Sequence, residues 1–246
     1  MQRVVLITGS SRGLGGHAAE RFAQEGWAVV VNYAHARHEA EALAERIRGN
    51  GGEVLVVQAD VSDPEQVRTL FDTVYLEYGR CDALVNMAGV NRDGPVLGMA
   101  IEDWKAVIDT VLTGTFLCSQ EFARRYDGEH GSIVNIGATT GITGRLNGAN
   151  YCSARAGVFT LTRCLALELA PKIQVNTVTP GFIMTDEVAE RYSLDDPEAK
   201  GHVLSQIPMG RIGTPEDIFQ AIKFLVDGQP YATGQNFVID GGNTML

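Results

Sequence analysis

The sequence has few cysteines, no long apolar run and no excess of positive charge. No apolar stretch approaches the roughly 18 residues of a membrane-spanning helix, and the start of the chain lacks a secretory-signal pattern. These absences predict a cytoplasmic protein. The cysteines have neither C-x-x-C nor metal-ligand spacing, which predicts buried reduced thiols and neither disulfides nor a metal site. They are Cys81, Cys118, Cys152 and Cys164.

The charge balance and the length narrow the class of protein further. The formal net charge is −10, which disfavours binding to nucleic acid or to an anionic membrane, because phosphates repel a net-negative protein. The chain has 246 residues, 45% of them hydrophobic, with no linker, low-complexity block or long repeat. We therefore expect one domain that spans residues 1–246.

A glycine-rich loop follows the first apolar run. It reads T-G-x-x-x-G-x-G over residues 8–15 and leads into an amphipathic helix. Glycines allow the backbone to turn tightly and to approach an anion, and the positive end of a helix favours a pyrophosphate. The loop therefore predicts a dinucleotide-phosphate site. Its expected contacts are Gly9, Ser11, Arg12, Gly13, Leu14 and Gly15.

Short β-branched runs alternate with helical periodicity along the whole chain. This pattern predicts an α/β fold, a single-domain Rossmann-type doubly wound parallel sheet of seven strands with helices on both faces. Capping residues before prolines, at Asp63-Pro64 and Thr214-Pro215, indicate two helix starts. The predicted strands are Val4–Thr8, Ala28–Asn32, Val54–Asp60, Ala83–Ala88, Ser132–Ile136, Gln174–Val178 and Asn236–Asp240.

The end of the second predicted strand indicates which dinucleotide binds. An acidic residue about 20 positions after the glycines would bind the ribose 2′-hydroxyl of NAD and repel the 2′-phosphate of NADP. This chain has Asn32 there, with Arg12 in the glycine loop and Arg37 just after the strand. Two histidines, His35 and His38, add to the basic character. The absent acid and the nearby bases favour NADP(H).

Further motifs carry a family resemblance. They are Asp60-Val61 after the third strand, Asn86-Met87-Ala88-Gly89 after the fourth, Tyr151 in a helix, Pro180-Gly181 after the sixth, and Asp240-Gly241-Gly242 near the end. Together with the glycine loop, they resemble the short-chain dehydrogenase/reductases over essentially the whole chain. Within that family the chain is most similar to the 3-oxoacyl-[acyl-carrier-protein] reductase branch.

The resemblance implies an oxidoreductase that uses a nicotinamide cofactor on a 3-oxoacyl thioester or a related ketone. It implies a small-molecule or acyl-thioester substrate, which an acyl carrier protein could present. It also implies a mobile lid over residues 186–213, and a homodimer or homotetramer formed through helices Glu102–Tyr126 and Tyr151–Ala170. The implied cofactor contacts beyond the loop are Asp60, Val61, Asn86, Ala88, Gly89, Tyr151, Arg155, Pro180, Gly181, Ile183 and Thr185.

The catalytic residues depart from the family pattern. The family uses an asparagine, a serine, a tyrosine and a lysine, and only Tyr151 is kept. Val111, Ala138 and Arg155 stand at the other three positions. Arg155 follows Tyr151 by four residues, so both lie on one helix face. A guanidinium supplies positive charge but does not readily release a proton, and Ala138 lacks a hydroxyl that would hold the substrate oxygen.

Two function classes therefore stay open. The first is an NADP(H)-dependent oxidoreductase that either turns over slowly or uses Tyr151 with unusual helpers, and its catalytic residues are Tyr151 and Arg155. The second is a catalytically impaired NADP(H)-binding subunit that pairs with an active homologue as a hetero-oligomer. Thr139 or Thr140 would replace the missing serine only if the loop bends. By charge alone Arg124, Arg125 and Lys172 are candidates for a carrier-protein patch, and a solvated helix end explains them equally.

Overall fold

The computed structural model describes residues 2–227 and 231–245. Its parallel strands form a seven-stranded sheet in the order β3-β2-β1-β4-β5-β6-β7, which confirms the predicted fold class. Each predicted strand is present, with ends that differ by at most two residues from those expected. The strands are β1 (Val4–Ile7), β2 (Ala28–Tyr33), β3 (Glu53–Gln58), β4 (Ala83–Asn86), β5 (Gly131–Ile136), β6 (Ile173–Pro180) and β7 (Asn236–Ile239).

Helices connect successive strands. A π-helical turn, Asp109–Thr113, lies between α4 and α5, and a short 3₁₀ turn, Val96–Gly98, precedes α4. The α-helices are α1 (Gly13–Gln24), α2 (Arg37–Gly49), α3 (Pro64–Tyr78), α4 (Ile101–Ile108), α5 (Gly114–Arg125), α6 (Thr140–Thr143), α7 (Ala149–Leu169), α8 (Asp186–Arg191), α9 (Pro197–Ser205) and α10 (Pro215–Val226). Among the residues that the structure describes, no helix combines the length and apolar character needed to cross a bilayer.

The strand order places a crevice at the carboxyl edge of the sheet. The chain builds outward from β1 through β2 to β3, then returns to β4 on the other side of β1. The connections after β1 and β4 therefore leave in opposite directions, and ligands of open α/β sheets bind at such a point. The glycine loop after β1 and the Asn86–Gly89 segment after β4 both lie there.

Each face of the sheet packs against helices. On one face, Phe22 of α1 and Phe219 of α10 belong to one buried cluster with alternate residues of the strands. On the other face, Phe71 of α3 and Phe122 of α5 belong to a second cluster. The central strands are buried on both faces, which explains their nearly continuous apolar sequences.

The structure confirms both predicted helix starts. It differs from the sequence prediction in the burial of the cysteines. The Asp63 side chain accepts hydrogen bonds from the first turn of α3, and Thr214 caps α10 in a capping box. All four cysteines are free. Cys81 and Cys118 are buried, and burial raises the pKa of each thiol to about 12. Cys164 is exposed, contrary to the prediction, because it lies on the outward side of α7, and Cys152 on the same helix is only partly buried.

The packing of Phe22 gives a test of the first cluster. Its side chain is fully buried, with its ring centroid 5.1 Å from that of Phe219 and 5.6 Å from that of Trp27. We expect Phe22→Ala to lower the free energy of unfolding by about 3–5 kcal/mol, because it leaves a cavity between these rings. Urea denaturation measures the change. Leu76→Ala, at an 89% exposed position, is the control and should change it by less than about 0.5 kcal/mol.

Candidate active site

The glycine loop is fastened to the segment after β4. Gly9 has φ +62°, and a Cβ at this residue would lie only 2.6 Å from the Cα of Ala88. The Thr8 hydroxyl accepts hydrogen bonds from the backbone N–H groups of Met87 and Ala88, at 3.0 and 3.1 Å. Because both the backbone conformation and the close approach exclude a side chain, glycine is required at position 9.

The start of α1 suits a bound anion. Gly13 has φ +58°, and the space where a side chain would lie is open. Arg12, the N-cap residue, makes no side-chain capping bond, and the first turn contains no acidic residue. By contrast, Asp and Thr side chains cap α3 and α10. The first N–H groups of α1 are thus left for another acceptor, so the loop fits a dinucleotide pyrophosphate.

Asn32 has a structural role that the sequence did not indicate. Its side chain is 1% exposed, and its Oδ1 accepts a hydrogen bond from the backbone N–H of Gly9 at 3.1 Å. Its Nδ2 donates to the carbonyl oxygens of Ala59 at 3.0 Å and Val57 at 3.4 Å. The amide therefore ties the glycine loop to the end of β3, and its polar atoms are already engaged within the protein. The sequence had indicated only that Asn32 lacks the negative charge that would repel a 2′-phosphate.

The basic residues near the end of β2 are exposed. Arg12 lies at the start of α1, His35 follows β2, and Arg37 and His38 begin α2. Within residues 2–227 and 231–245, neither Arg12 nor Arg37 takes part in an ion pair. Their charges are therefore available to a phosphate group in an otherwise acidic protein.

The Asp60-Val61 motif lies just after β3. One oxygen of the Asp60 carboxylate accepts hydrogen bonds from the Ser62 backbone N–H and hydroxyl, at 2.9 and 2.7 Å. Val61 is 4% exposed, and a Cβ at Gly114 would lie 2.7 Å from its Cγ2. The motif thus packs the end of β3 against α5, and the exposed part of Asp60 lies at the crevice edge.

Asn86 supports the central strands from within. Its side chain is 3% exposed, and its Nδ2 donates to Asn135 Oδ1 at 2.9 Å and to Ser119 Oγ at 3.0 Å. Asn135 in turn donates to Thr162 at 2.9 Å. These bonds join β4, β5, α5 and α7 under the site. Asn86 therefore has a structural role beside the cofactor contact that the resemblance implies.

The segment after β6 lies against the end of β7. The N–H of Gly181, next to Pro180, donates to the carbonyl oxygen of Ile239 at 3.0 Å, and a Cβ at Gly181 would lie 2.7 Å from the Cα of Asp240. Burial opposes ionisation of Asp240, but hydrogen bonds from Thr244 and from the Gly242 N–H lower its pKa overall. An ionised Asp240 therefore closes this turn.

The segment expected to form the lid is a separate excursion of the chain between β6 and α10. Ile183, 3% exposed, pairs with Gly213 in a parallel bridge, so the two ends of the segment lie side by side. Thr185 caps α8 by accepting a hydrogen bond from the Val188 N–H at 3.3 Å. The 186–213 segment then forms α8, α9 and their connections. Its helical content was not expected from the sequence.

Tyr151 and Arg155 lie together on α7, as their spacing predicts. The guanidinium carbon of Arg155 is 5.1 Å from the centroid of the Tyr151 ring. Arg155 is only 5% exposed, and its Nη1 donates to the carbonyl oxygen of Ile136. A Cβ at Gly89 would lie 2.8 Å from its Nη2, and its Nε has no hydrogen-bond partner among the described residues. Arg155 is thus a buried, fixed cation between β5 and the segment after β4.

The other altered positions make the site less polar. Val111 is fully buried in the π-helical turn, in an apolar cluster that includes Ala154 and the partly buried Tyr151. Ala138 follows β5 and carries no donor. The hydroxyl of Thr140 is buried without a partner in the described part of the chain, whereas Thr139 precedes α6 as its N-cap residue.

A second arginine near the tyrosine was missed from the sequence. The guanidinium carbon of Arg145 lies 4.9 Å from the Tyr151 ring centroid. Its Nη2 donates to Asp93 Oδ1 at 2.6 Å and to Asn91 Oδ1 at 3.0 Å. These are loop residues outside every motif, and the one available signal was that Arg145 precedes Tyr151 by six residues.

Comparison with known proteins agrees with this geometry. A family model described as enoyl-(acyl carrier protein) reductase matches residues 9–244. The chain belongs to the short-chain dehydrogenase/reductase family. It is 41% identical to a 3-oxoacyl-[acyl-carrier-protein] reductase of Synechocystis, with 99% of this chain and 98% of the relative covered. It is 39% identical to the 3-oxoacyl-[acyl-carrier-protein] reductase FabG of Staphylococcus aureus, with 100% and 99% covered.

A solved structure is similarly close. A double mutant of a short-chain dehydrogenase/reductase from Serratia marcescens matches with a TM-score of 0.90 and 31% identity. The match covers 98% of both chains. The chain is therefore a short-chain dehydrogenase/reductase oxidoreductase, most like the 3-oxoacyl-[acyl-carrier-protein] reductases.

The buried amide of Asn32 gives a prediction about the loop. Asn32→Asp places a carboxylate against the carbonyl oxygens of Ala59 and Val57 in a site with 1% exposure. We expect the free energy of unfolding to fall by about 2–4 kcal/mol, because the buried carboxylate is charged and no longer donates the hydrogen bonds that the Asn32 amide donates. Urea denaturation at neutral pH measures it. Arg37→Ala, at an exposed position, should leave stability within about 0.5 kcal/mol. Unchanged stability of Asn32→Asp would contradict the structural role.

Proposed function

We propose that the protein is an NADP(H)-dependent oxidoreductase that slowly reduces a 3-oxoacyl thioester or a related ketone. The observation that carries the proposal is the combination of a phosphate-binding loop and Tyr151 at one crevice. The loop keeps its left-handed Gly9 and Gly13 and an uncapped helix start. Tyr151 keeps a guanidinium cation one helical turn away. A purely structural subunit that binds no cofactor would need neither arrangement.

Different residues have different roles in the proposed reaction. The glycine loop and the start of α1 would hold the pyrophosphate, and Arg12 and Arg37 the 2′-phosphate. A bound nicotinamide supplies the hydride. Tyr151 donates a proton to the substrate carbonyl oxygen, and Arg155 stabilises the negative charge that remains on the phenol oxygen.

The same residues explain why the reaction is slow. A guanidinium does not readily release a proton, so we do not expect Arg155 to pass a proton to the tyrosine. Its guanidinium is 5% exposed and bonded to Ile136, which keeps it from solvent. Ala138 offers no hydroxyl to the substrate oxygen, and loss of one such donor costs on the order of 10²–10³ in rate in other enzymes. Val111 places a buried apolar side chain where the family has an amide.

A second function is favoured by the burial of Arg155. A cation held by Ile136 and shielded from solvent suits a site that binds the cofactor without turnover. In that case the protein is an NADP(H)-binding subunit that pairs with an active homologue. Exposed apolar side chains on the expected pairing helices, Phe116 on α5 and Leu167 on α7, support an oligomer in either case.

The partners of the basic side chains Arg124, Arg125 and Lys172 indicate whether they form a docking patch for a carrier protein. Arg124 and Arg125 both pair with Glu121, at 2.9 and 3.1 Å, and Lys172 Nζ donates to the carbonyl oxygen of Tyr126 at 2.7 Å. These internal partners support the interpretation as a solvated helix end. A free thioester, such as one of coenzyme A, is therefore as suitable a first substrate as a carrier-bound one. The proposed location of the reaction is the cytoplasm.

Cofactor preference is the first test. We expect NADPH to bind at least about tenfold more tightly than NADH, equivalent to about 1.4 kcal/mol. Arg12→Ala and Arg37→Ala should each reduce this ratio, because each removes a cation available to the 2′-phosphate. Calorimetric titration with both cofactors measures the affinities. Arg68→Ala, on α3 and paired with Glu65, is the control and should leave the ratio unchanged. Equal affinities in the unmodified protein would refute the proposed NADP(H) dependence.

The catalytic positions are the second test. We expect Val111→Asn, Ala138→Ser and Arg155→Lys together to raise the kcat of NADPH-dependent reduction of a 3-oxoacyl thioester by about 10² or more. The affinity for NADPH should change little, since the glycine loop is untouched. Initial rates at saturating NADPH compare the triple variant with the unmodified protein. A triple variant that also carries Tyr151→Phe is the control and should lose the gain.

Other outcomes of this test separate the two functions. A fast unmodified protein that slows on substitution would show that the altered residues serve another mechanism. A protein that binds NADPH but is inert before and after the substitutions would favour the non-catalytic subunit.

A further inference from the structure

A single carboxylate joins the lid to the catalytic centre. Asp93 lies in the segment between β4 and α4, and each of its oxygens contacts a different arginine. Its Oδ1 is 2.6 Å from Nη2 of Arg145, and its Oδ2 is 3.2 Å from Nη1 of Arg191. Arg145 lies in the segment before α7, whereas Arg191 is the last residue of α8 in the lid. Three separate parts of the chain therefore meet at Asp93.

A second set of contacts reinforces the connection. On the lid, Arg191 Nη2 pairs with Glu187 Oε1 at 3.0 Å. The same Glu187 oxygen accepts a hydrogen bond from Asn91 Nδ2 at 2.9 Å, and Asn91 Oδ1 accepts from Arg145 Nη2 at 3.0 Å. The lid helix thus contacts the Asn91–Asp93 segment twice, and that segment contacts Arg145 twice.

The Arg145 side chain is tightly packed at its position beside Tyr151. Its guanidinium carbon is 4.9 Å from the ring centroid, and 18% of its side chain is exposed. A Cβ at Gly148 would lie 2.6 Å from its Cγ and Nε, so the side chain passes directly over the backbone. The N–H of Gly94 also donates to the carbonyl oxygen of Asn147 at 2.8 Å, which fastens the two loops together. The position of Arg145 therefore depends on the loop that holds Asp93.

We infer that Asp93 is a positioning residue that couples closure of the lid to the placement of Arg145 on the catalytic tyrosine. In this structure the Asn91–Asp93 segment is held from the lid side and holds Arg145 in turn. When the lid opens, Arg191 and Glu187 withdraw, and the segment and Arg145 lose that support. The inference rests on the proposed function in one respect, that Tyr151 is the proton donor.

The expected effect is moderate, because these ion pairs are partly exposed. The Asp93, Arg191 and Arg145 side chains are 34%, 26% and 18% exposed. An isolated pair at such a position contributes little, but a carboxylate shared by two guanidiniums within a network contributes more. We therefore expect loss of the network to change the equilibrium constant for local opening about threefold.

Hydrogen–deuterium exchange of the full-length protein tests the coupling without requiring turnover. Arg191→Gln changes only a lid residue, yet we expect exchange to rise about threefold both in residues 186–205 and in residues 144–151. Asp93→Asn should do the same, and Asp93→Glu should restore part of the protection. Glu190→Gln removes an exposed charge on the same lid helix and is the matched control, which should change neither segment.

Two results would overturn the coupling. Faster exchange in 186–205 alone after Arg191→Gln would show a lid contact that does not reach Arg145. Unchanged exchange in both segments after Asp93→Asn would show that the network does not hold the lid. Steady-state kinetics of the same variants add the catalytic readout, with kcat lowered in both Arg191→Gln and Arg145→Gln and no further loss in the double variant. Absence of turnover with the predicted exchange pattern would refute the proposed function and leave the coupling intact.

Discussion

The close contact between Gly9 and Ala88 is the constraint on which the site depends. A Cβ at Gly9 would lie 2.6 Å from the Cα of Ala88, and the Thr8 hydroxyl accepts hydrogen bonds from the same segment. This contact sets the width of the crevice between the β1 and β4 loops. Asn32 fixes the loop from below through the Gly9 N–H. The phosphate site and the segment that packs on Arg155 are therefore parts of one rigid edge of the sheet.

The two halves of the crevice have different chemical characters. The nucleotide half keeps an uncapped helix start, two left-handed glycines and exposed cations. The catalytic half keeps the tyrosine but surrounds it with a buried guanidinium, a valine and an alanine. In the function we propose, Arg155 supplies charge without a transferable proton, so cofactor binding is retained and proton delivery is weakened. Arg145 adds a second guanidinium near Tyr151 and links it to the lid.

Much of the fold followed from the sequence, because buried parallel strands are continuous apolar runs and helix starts carry capping residues. Strand ends and the caps of α3 and α10 agree closely. Contacts that depend on tertiary geometry did not follow. The hydrogen bonds of Asn32, the π-helical turn at Val111 and the Asp93 bridge join residues far apart in sequence or break the regular helical period. No local pattern marks such residues, although motif spacing did place Tyr151 and Arg155 together.

We propose that the protein binds NADPH well and that proton delivery from Tyr151 limits its turnover. A single-turnover measurement tests it, with NADPH prebound and a 3-oxoacyl thioester in excess. The rate is compared in water and deuterium oxide, and with NADPH deuterated at the transferred hydrogen. We expect slow oxidation of NADPH. The rate should fall further in deuterium oxide, and it should change less when the cofactor is deuterated than when the solvent is. Rapid oxidation, or a rate that responds to the deuterated cofactor and not to the solvent, would contradict it.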